Sequence, residues 1–346
     1  MQIFVSEYVC GGAWPGEQLN SSLAREGQAM LTALVEDLSE IPGARVVTTW
    51  DARLGECPLQ RCDVWVMRSR VQEKATYEKL VHTSEVVWIV APESDGILFQ
   101  RRAICESLPI IQRVQRYRII GANTWGISLC SDKKVFSEVF LHLEISTPHS
   151  SSFDPTQGAN SINSWPLVVK PRDGAGSQNT FLVRTELDLW NVCRQLLKEV
   201  VDPDAFIQQP YVPGKALSVA LLIAEDGSII EVLPVAEQLL SDDGRFRYLG
   251  GRIPASISSD STDAVKSFVQ KVHRAIPVPG LTGYVGFDIV LPDDSPTEPV
   301  LIEINPRLTT SYLGYRLLTD DNIAARLIDP STPPLRWKSE AVTFTV

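Results

Sequence analysis

The chain has 346 residues, a formal net charge of −10 and a hydrophobic fraction of 44% spread evenly along its length. That length allows two or three cores, and the acidic balance argues against nucleic acid or an anionic membrane surface as a partner. No apolar run is long enough to span a bilayer and no signal peptide precedes the first strand, so a cytoplasmic enzyme is expected. The 6 cysteines, Cys10, Cys57, Cys62, Cys105, Cys130 and Cys193, form no C-x-x-C pair. Most sit among apolar residues, which favours reduced structural thiols over zinc ligands or disulfides. Cys10 is a nucleophile candidate by type alone, because no His adjoins it.

Strands predicted at 3–5, 45–49, 63–67 and 86–91 alternate with helical stretches, an α/β pattern for an amino-terminal domain over 1–120. The first strand runs into Gly11 and Gly12 ahead of a helix carrying Leu31, Leu34, Val35 and Leu38, and Asp51 ends the next strand. This invites a dinucleotide-binding reading. The two glycines are adjacent, however, and Trp14-Pro15 interrupts them, so no G-x-G-x-x-G forms and a nicotinamide enzyme is set aside. Glu7, Tyr8, Arg68 and Glu93 follow strand ends, where α/β sheets bind ligands, and are candidate substrate contacts. Solvated loop-end charges are the alternative.

In SDKKVFSEVFLHLEIS, Val135, Phe136, Val139, Phe140 and Leu143 recur at helical spacing, and Ser131 or Asp132 can cap the helix. Lys133 and Lys134 in its first turn oppose the positive end of the helix dipole, so either one is functional or both are simply solvated. The run 150–165 is rich in Ser, Asn, Pro and Gly and reads as a linker looping out. In WPLVVKPRDGAGSQN, a strand ends at Lys170 and opens into a loop with Gly174 and Gly176. Free backbone N–H groups beside a lysine suit phosphate, although a plain glycine-rich hairpin explains the same residues. No Gly-Lys-Ser/Thr follows, so this is not a Walker A loop. A helix is expected over 189–200. In FIQQPYVPGKALSVALLIA, Pro210 and Pro213 cannot donate to a ladder, which predicts strand, hinge, strand. A second helix is expected over 265–276.

GYVGFDIVL and PVLIEINPR read as adjacent strands. Alternation places Val285, Phe287 and Ile289 with Val300, Ile302 and Ile304 in a dry layer, and Asp288, Glu303 and Asn305 on the other face. Two carboxylates and an amide, without His or Cys, favour Mg²⁺ over Zn²⁺. They could instead be solvated, but the turn at 292–296 already supplies an exposed polar stretch, and an unpaired carboxylate inside an apolar run is costly. Arg307, just past Pro306, lies on the same side. After Asp329, the residues Pro330, Pro333 and Pro334 predict an irregular tail.

Taken together, the Asp-Lys pair at 132–133, the Lys170 strand with its glycine loop, the proline-bounded hinge and D…E-I-N-P-R resemble the ATP-grasp family of carboxylate–amine ligases across 120–316. The resemblance implies an α/β (α+β) ATP-grasp fold behind an amino-terminal parallel-sheet, or pre-ATP-grasp, domain. A nucleotide subdomain would occupy 121–210, a metal-bearing subdomain 211–330 and the tail 331–346. Lys133 and Lys170 would contact ATP phosphates, with Gly174, Gly176 and Ser177 covering them. Main-chain atoms from Gln209 through Tyr211 to Val212 would hold adenine. Mg²⁺ would sit on Asp288, Glu303 and Asn305, with a second ion and Mn²⁺ as a substitute within the expectation. Arg307 and Lys170 are the implied catalytic residues, Arg307 stabilising a carboxylate or the tetrahedral oxyanion. The acidic residue that often binds ribose falls at Ala216, which leaves that contact open. IFVSEYVCGGAW, REGQAM and APESDGIL, with INPRLTTSYLG, are similar to the subgroup containing the tyramine–glutamate ligases of methanofuran biosynthesis. That implies ATP-dependent amide formation through an acyl phosphate, from glutamate and an aromatic amine such as tyramine. Small carboxylates and amines are then the partners, and a homodimer is compatible with this. A phosphotransferase or a non-catalytic nucleotide-binding regulator would use the same landmarks.

Overall fold

The computed structural model describes residues 1–107, 117–158, 165–174, 176–198 and 203–345. The amino-terminal part is a parallel sheet of β1 (Gln2–Glu7), β2 (Arg45–Asp51), β3 (Asp63–Met67), β4 (Val86–Val90) and β5 (Arg118–Ile120), in the order β3-β2-β1-β4-β5. Every residue of β4 is buried, as expected of a strand covered on both faces. The helices α1 (Ser21–Ser39), α2 (Arg70–Thr83) and α3 (Ile97–Glu106) make the crossovers. The chain reverses its direction of travel across the sheet between β1 and β4. The loops after those two strands therefore open side by side at the carboxyl ends, the place where such sheets bind ligands.

Two short helices follow, α4 (Thr124–Ser131) and α5 (Lys133–His142). Asp132 caps α5, its carboxylate accepting from Lys134 N and Val135 N. Phe136 and Phe140 are buried while Val135 is 39% exposed, so the apolar stripe is narrower than the sequence predicts. A small antiparallel sheet contains β6 (Ser151–Ser152), β7 (Leu167–Pro171), β8 (Phe181–Val183) and β9 (Phe206–Pro210), with α6 (Glu186–Leu196) packed on it. Its core, including Phe153, Val169, Phe181, Leu189 and Phe206, is separate from the rest. The expected linker thus contributes β6, paired to β9, and the remainder of its calls at 159–164, with the end of the predicted helix at 199–200, lie outside the described residues.

The third sheet has 7 strands. These are β10 (Gly214–Ile223), β11 (Ile229–Val232), β12 (Ala236–Leu240), β13 (Tyr248–Ile253), β14 (Gly283–Pro292), β15 (Val300–Asn305) and β16 (Val342–Thr345). β16 pairs with β13, so the tail expected to be irregular ends in a strand. Its prolines precede that strand and leave the ladder residues free to pair. The helix α7 (Ser259–Ala275) covers one face through Val265, Val269 and Val272, which join Leu217, Val219, Phe287 and Ile289. The helices α8 (Ser311–Leu318) and α9 (Ile323–Ile328) cover the other face, where Tyr312 and Tyr315 join Ala220, Leu222 and Tyr284. α1 inserts Leu31, Leu34 and Leu38 into that second cluster, tying the parallel sheet to the third sheet. Each such fully buried side chain contributes about 1.5–3 kcal/mol. Asp37 on α1 accepts from the Tyr312 hydroxyl and from Arg316 Nε at 2.8 Å across the same junction.

The β14–β15 pairing departs from simple alternation. Asp288 faces Glu303 and Gly286 faces Asn305, but the register shifts so that Ile289 faces Leu301. This β-bulge reverses the parity of the strand before Glu303. Leu301 and Ile304 therefore enter the core with Val285, Phe287 and Ile289, while Val300 and Ile302 do not. The expected dry layer of Val300, Ile302 and Ile304 is corrected accordingly. Asp288, Glu303 and Asn305 still share one face, because all three lie on the same side of the shift.

Candidate active site

A cleft of about 1030 Å³ runs between the small sheet, the third sheet and the carboxyl ends of β1 and β4. Lys170, at the end of β7, is 7% exposed and aims into it. Burial lowers its ammonium to about 8, with Lys133 pushing the same way and Glu303 and Asp288 opposing. Lys133 opens α5 and donates to Gly174 O at 2.7 Å, with Glu303 Oε1 3.3 Å away. The cap residue Asp132 is gripped by Arg172 at 2.6 Å, which fixes where Lys133 emerges. Two lysines and two carboxylates thus line the same cleft, with Lys133 and Glu303 in ion-pair contact.

The glycine loop lines the cleft with Gly174, Gly176 and Ser177. It is tied down at both ends. Asp173 Oδ2 accepts from Asp95 N at 2.9 Å, in the turn after β4, and the Ser177 hydroxyl donates to Phe246 O. The hinge brings Gln209, Tyr211 and Val212 to the cleft wall. Gln209 Nε2 is committed to Ser150 Oγ at 2.6 Å, and Tyr211 N to Pro166 O at 3.0 Å. Tyr211 N–H is therefore not available to a base, which narrows the expected main-chain contact; Val212 N–H has no partner among the described residues.

Asp288 accepts from Gln238 Nε2 and from Asn305 Nδ2, each at 2.9 Å. Burial first, then the nearby Glu303 charge, push its carboxyl up to about 7. The absence of a side chain at Gly286 lets Thr309 come close, since an added Cβ would lie 2.7 Å from Thr309 Cγ2. Among the described residues no group of three or more His, Cys, Asp or Glu side chains could hold a metal. The donor set is thus two carboxylates and an amide that can turn its oxygen inward. Two half-buried, mutually repelling carboxylates relieved by a hard divalent cation fit Mg²⁺.

Arg307 lies on the same wall, its Nε 2.9 Å from Glu93 Oε1 and bonded to Oε2 at 3.0 Å. Burial alone would lower its guanidinium, but Glu93, Glu303 and Asp288 raise it, so it stays charged. Glu93 is 4% exposed and reaches the cleft only through Arg307, so it holds that residue rather than lining the site. Its Oε1 lies within ion-pair distance yet makes no hydrogen bond.

The other three expected substrate contacts are corrected. Glu7 is buried and turned into the loop after β1, its Oε2 accepting from Cys10 N at 2.5 Å. Burial pushes its carboxyl up to about 7 in spite of the N–H groups facing it. Gly27 packs against it, and a Cβ there would lie 2.6 Å from Oε1. Tyr8 is buried behind Trp14, with ring centroids 6.4 Å apart. Arg68 is exposed and away from the cleft. A strand end marks where a ligand can bind, but it does not tell which following side chain turns inward. Cys10 is no nucleophile: burial drives its thiol far upward, and its Sγ donates to Ala24 O. Sequence reasoning missed Glu26, Gln238, Tyr248 and Thr310, which line the cleft. Only Glu26 carried a signal, as one charge between the apolar Leu23 and Met30 on one helical face.

Comparison with known proteins agrees with this geometry. A family model described as an ATP-grasp domain matches residues 130–311, and a pre ATP-grasp 3 domain matches residues 44–111. The chain is 26% identical over 259 residues to a tyramine–L-glutamate ligase of Methanocaldococcus fervens, covering 74% of this chain and 70% of that protein. It is 23% identical over 331 residues to the tyramine–L-glutamate ligase of Methanocaldococcus jannaschii, covering 94% and 90%. A solved structure of a putative ATP-grasp superfamily protein from Archaeoglobus fulgidus superposes with a TM-score of 0.67 at 25% identity, over 95% of this chain and 88% of that one. No helix among the described residues is long and apolar enough to cross a membrane. The first family match alone spans more than half the sequence, so this chain belongs to the ATP-grasp family and is an ADP-forming carboxylate–amine ligase.

Proposed function

We propose that this ligase joins the carboxyl group of L-glutamate to a primary amine with an aromatic body, tyramine being the model. The observation that carries the reading is Arg307, held by Glu93 and lining one cleft with the Asp288–Glu303 pair and with Trp14. A carboxylate on Arg307 would lie next to the lysines, and an aromatic amine would find its apolar surface opposite. The similarity to tyramine–L-glutamate ligases supports the same pair.

Lys133 and Lys170 hold the ATP phosphates, and Gly174, Gly176 and Ser177 close over them, excluding water. Tyr211, Val212 and the backbone of Gln209 form the base pocket. Asp288, Glu303 and Asn305 would hold Mg²⁺, which would supply neutralisation of phosphate charge; a second ion, or Mn²⁺ as a substitute, would use the same oxygen donors. Arg307 grips the substrate carboxylate by charge-assisted hydrogen bonds and aims one oxygen at the γ-phosphorus. An O–P bond forms as ADP departs with the electron pair, giving an acyl phosphate. Arg307 then faces the oxyanion that develops as the amine nitrogen bonds to the acyl carbon and phosphate leaves. The enzyme works in the cytoplasm on small molecules, alone or as a homodimer.

ADP release with each amino acid, alone and with each amine, tests the assignment. Glutamate with tyramine should give ADP well above ATP alone. If another acid–amine pair does so and this one does not, the substrates are wrong and the ligase remains. Phosphate retained in a stable ester rather than freed would favour a phosphotransferase.

A further inference from the structure

The cleft wall that belongs to the parallel sheet differs in character from the wall that carries Arg307. α1 turns Leu23, Glu26 and Met30 toward the cleft, at positions i, i+3 and i+7 of one helical face. The loop after β1 adds Trp14, and the loop after β4 leads to Asp95 and Ile97. Among the described residues this wall contributes no Lys, Arg or His to the cleft lining. Asp95 is exposed and its backbone N–H is engaged by Asp173, so Glu26 is the carboxylate set among the apolar side chains. The Ser22 hydroxyl donates to Glu26 Oε1 at 3.2 Å on the exposed side of the helix.

Trp14 is equally well held. Its indole N–H donates to Gln18 O at 3.2 Å, and its carbonyl accepts from Arg53, itself bonded to Asp51 at the end of β2. Tyr8 backs its ring, and Arg101 stacks on Tyr8 with 5.3 Å to the ring centroid. The same cleft is lined by Tyr248 and by Asp288, Glu303 and Arg307.

We propose that this wall is the nucleophile subsite, in which Glu26 captures the ammonium of a primary amine that lacks a carboxylate, and Trp14, Leu23 and Met30 enclose its apolar body. The inference rests on the acyl-phosphate reading above and adds which kind of nucleophile the site accepts. An amino acid would bring its carboxylate against Glu26 with no cation on this wall to meet it. Glu26 has a second task. A proton passes from the ammonium nitrogen to a Glu26 oxygen, which frees the lone pair for attack on the acyl carbon; the second N–H proton is lost to the phosphate as it departs with the electron pair of the broken C–O bond. The REGQAM run then has a physical meaning: Glu26 and Met30 face the cleft, and Gly27 gives room to the Glu7 carboxylate that shapes the neighbouring loop.

The test is steady-state kinetics of ADP release with tyramine, tyrosine and ethylamine, run beside trapping of the activated acid by hydroxylamine. Wild-type enzyme with ATP, glutamate and hydroxylamine should yield the hydroxamate. If no acid gives a hydroxamate, the acyl-phosphate reading has failed rather than this one. Where the hydroxamate forms, Glu26→Gln should raise the tyramine KM at least about tenfold while the KM for ATP moves less than about twofold. Trp14→Ala should narrow the preference for tyramine over ethylamine. Wild-type enzyme, whose folding is not in question, should favour tyramine over tyrosine by at least about tenfold in kcat/KM. Equal use of tyrosine, or an unchanged tyramine KM in Glu26→Gln, overturns the proposal.

Discussion

Glu303 has two neighbours that define its chemistry, Asp288 opposite it in the ladder and Lys133 at 3.3 Å. Glu303→Gln changes charge and not volume, so the fold should survive. Turnover should fall at least about a hundredfold, because several kcal/mol of charge stabilisation on the transferring phosphoryl group goes with it. ADP formation at saturating Mg²⁺ is the assay, and wild-type rates would remove Glu303 from the metal set. Lys170 gives a second residue-scale prediction. Its ammonium is lowered to about 8, chiefly by burial, so it is partly neutral at pH 8.5 in the free enzyme. A bound polyphosphate favours the charged form. Nucleotide binding without metal should therefore take up a proton at pH 8.5 and little at pH 6.5, and Lys170→Ala should lose that difference. Calorimetry in two buffers of unlike ionisation enthalpy reads it directly. Lys170, Asp288, Glu303, Asn305 and Arg307, which line the cleft, stood out in the sequence because each charge or amide sits inside or beside an apolar run, whereas Lys133 was separated from Lys134 only by the family resemblance. Glu7 and Tyr8 were misplaced because burial of a loop side chain depends on partners such as Gly27 that come from another element.

At the scale of elements, the strands and helices follow from periodicity, while the departures come from tertiary pairing. The bulge that moves Leu301 into the core in place of Ile302 is invisible to an alternation rule, because it is set by what β14 presents. The strand β16 was hidden for a similar reason: four residues become a strand only where β13 offers a free edge. The loop after β1 carries a pH-dependent element of stability. The folded Glu7 carboxyl sits at about 7 against 4.5 for the ordinary group, so the folded protein holds a proton that the unfolded chain releases. That contribution is complete below about pH 4.5 and is lost as pH rises through about 7, worth roughly 3 kcal/mol. Glu7→Gln should then gain in urea midpoint relative to wild type between pH 5 and pH 8. A constant difference across that range would mean the carboxylate is ionised when folded.

For the whole molecule, three sheets meet at one cleft, and the landmarks, in sequence order, all line it: Lys133 from the start of α5, Lys170 near the end of β7, the hinge after β9, and Asp288, Glu303 and Asn305 from β14 and β15. What the sequence could not convey is how α1 bridges the parallel sheet and the third sheet, which is what brings Trp14 and Glu26 into the cleft that Arg307 also lines. The central claim is that glutamate is activated as an acyl phosphate in this cleft and then captured by an aromatic amine. The most direct measurement uses L-glutamate labelled with ¹⁸O in its carboxyl groups, together with ATP, Mg²⁺ and tyramine, and reads the released phosphate by mass. One labelled oxygen should appear in the phosphate for each amide formed, because the carboxylate oxygen that attacks phosphorus leaves with it. Amide formation with unlabelled phosphate, or phosphate release with no amide, would contradict it.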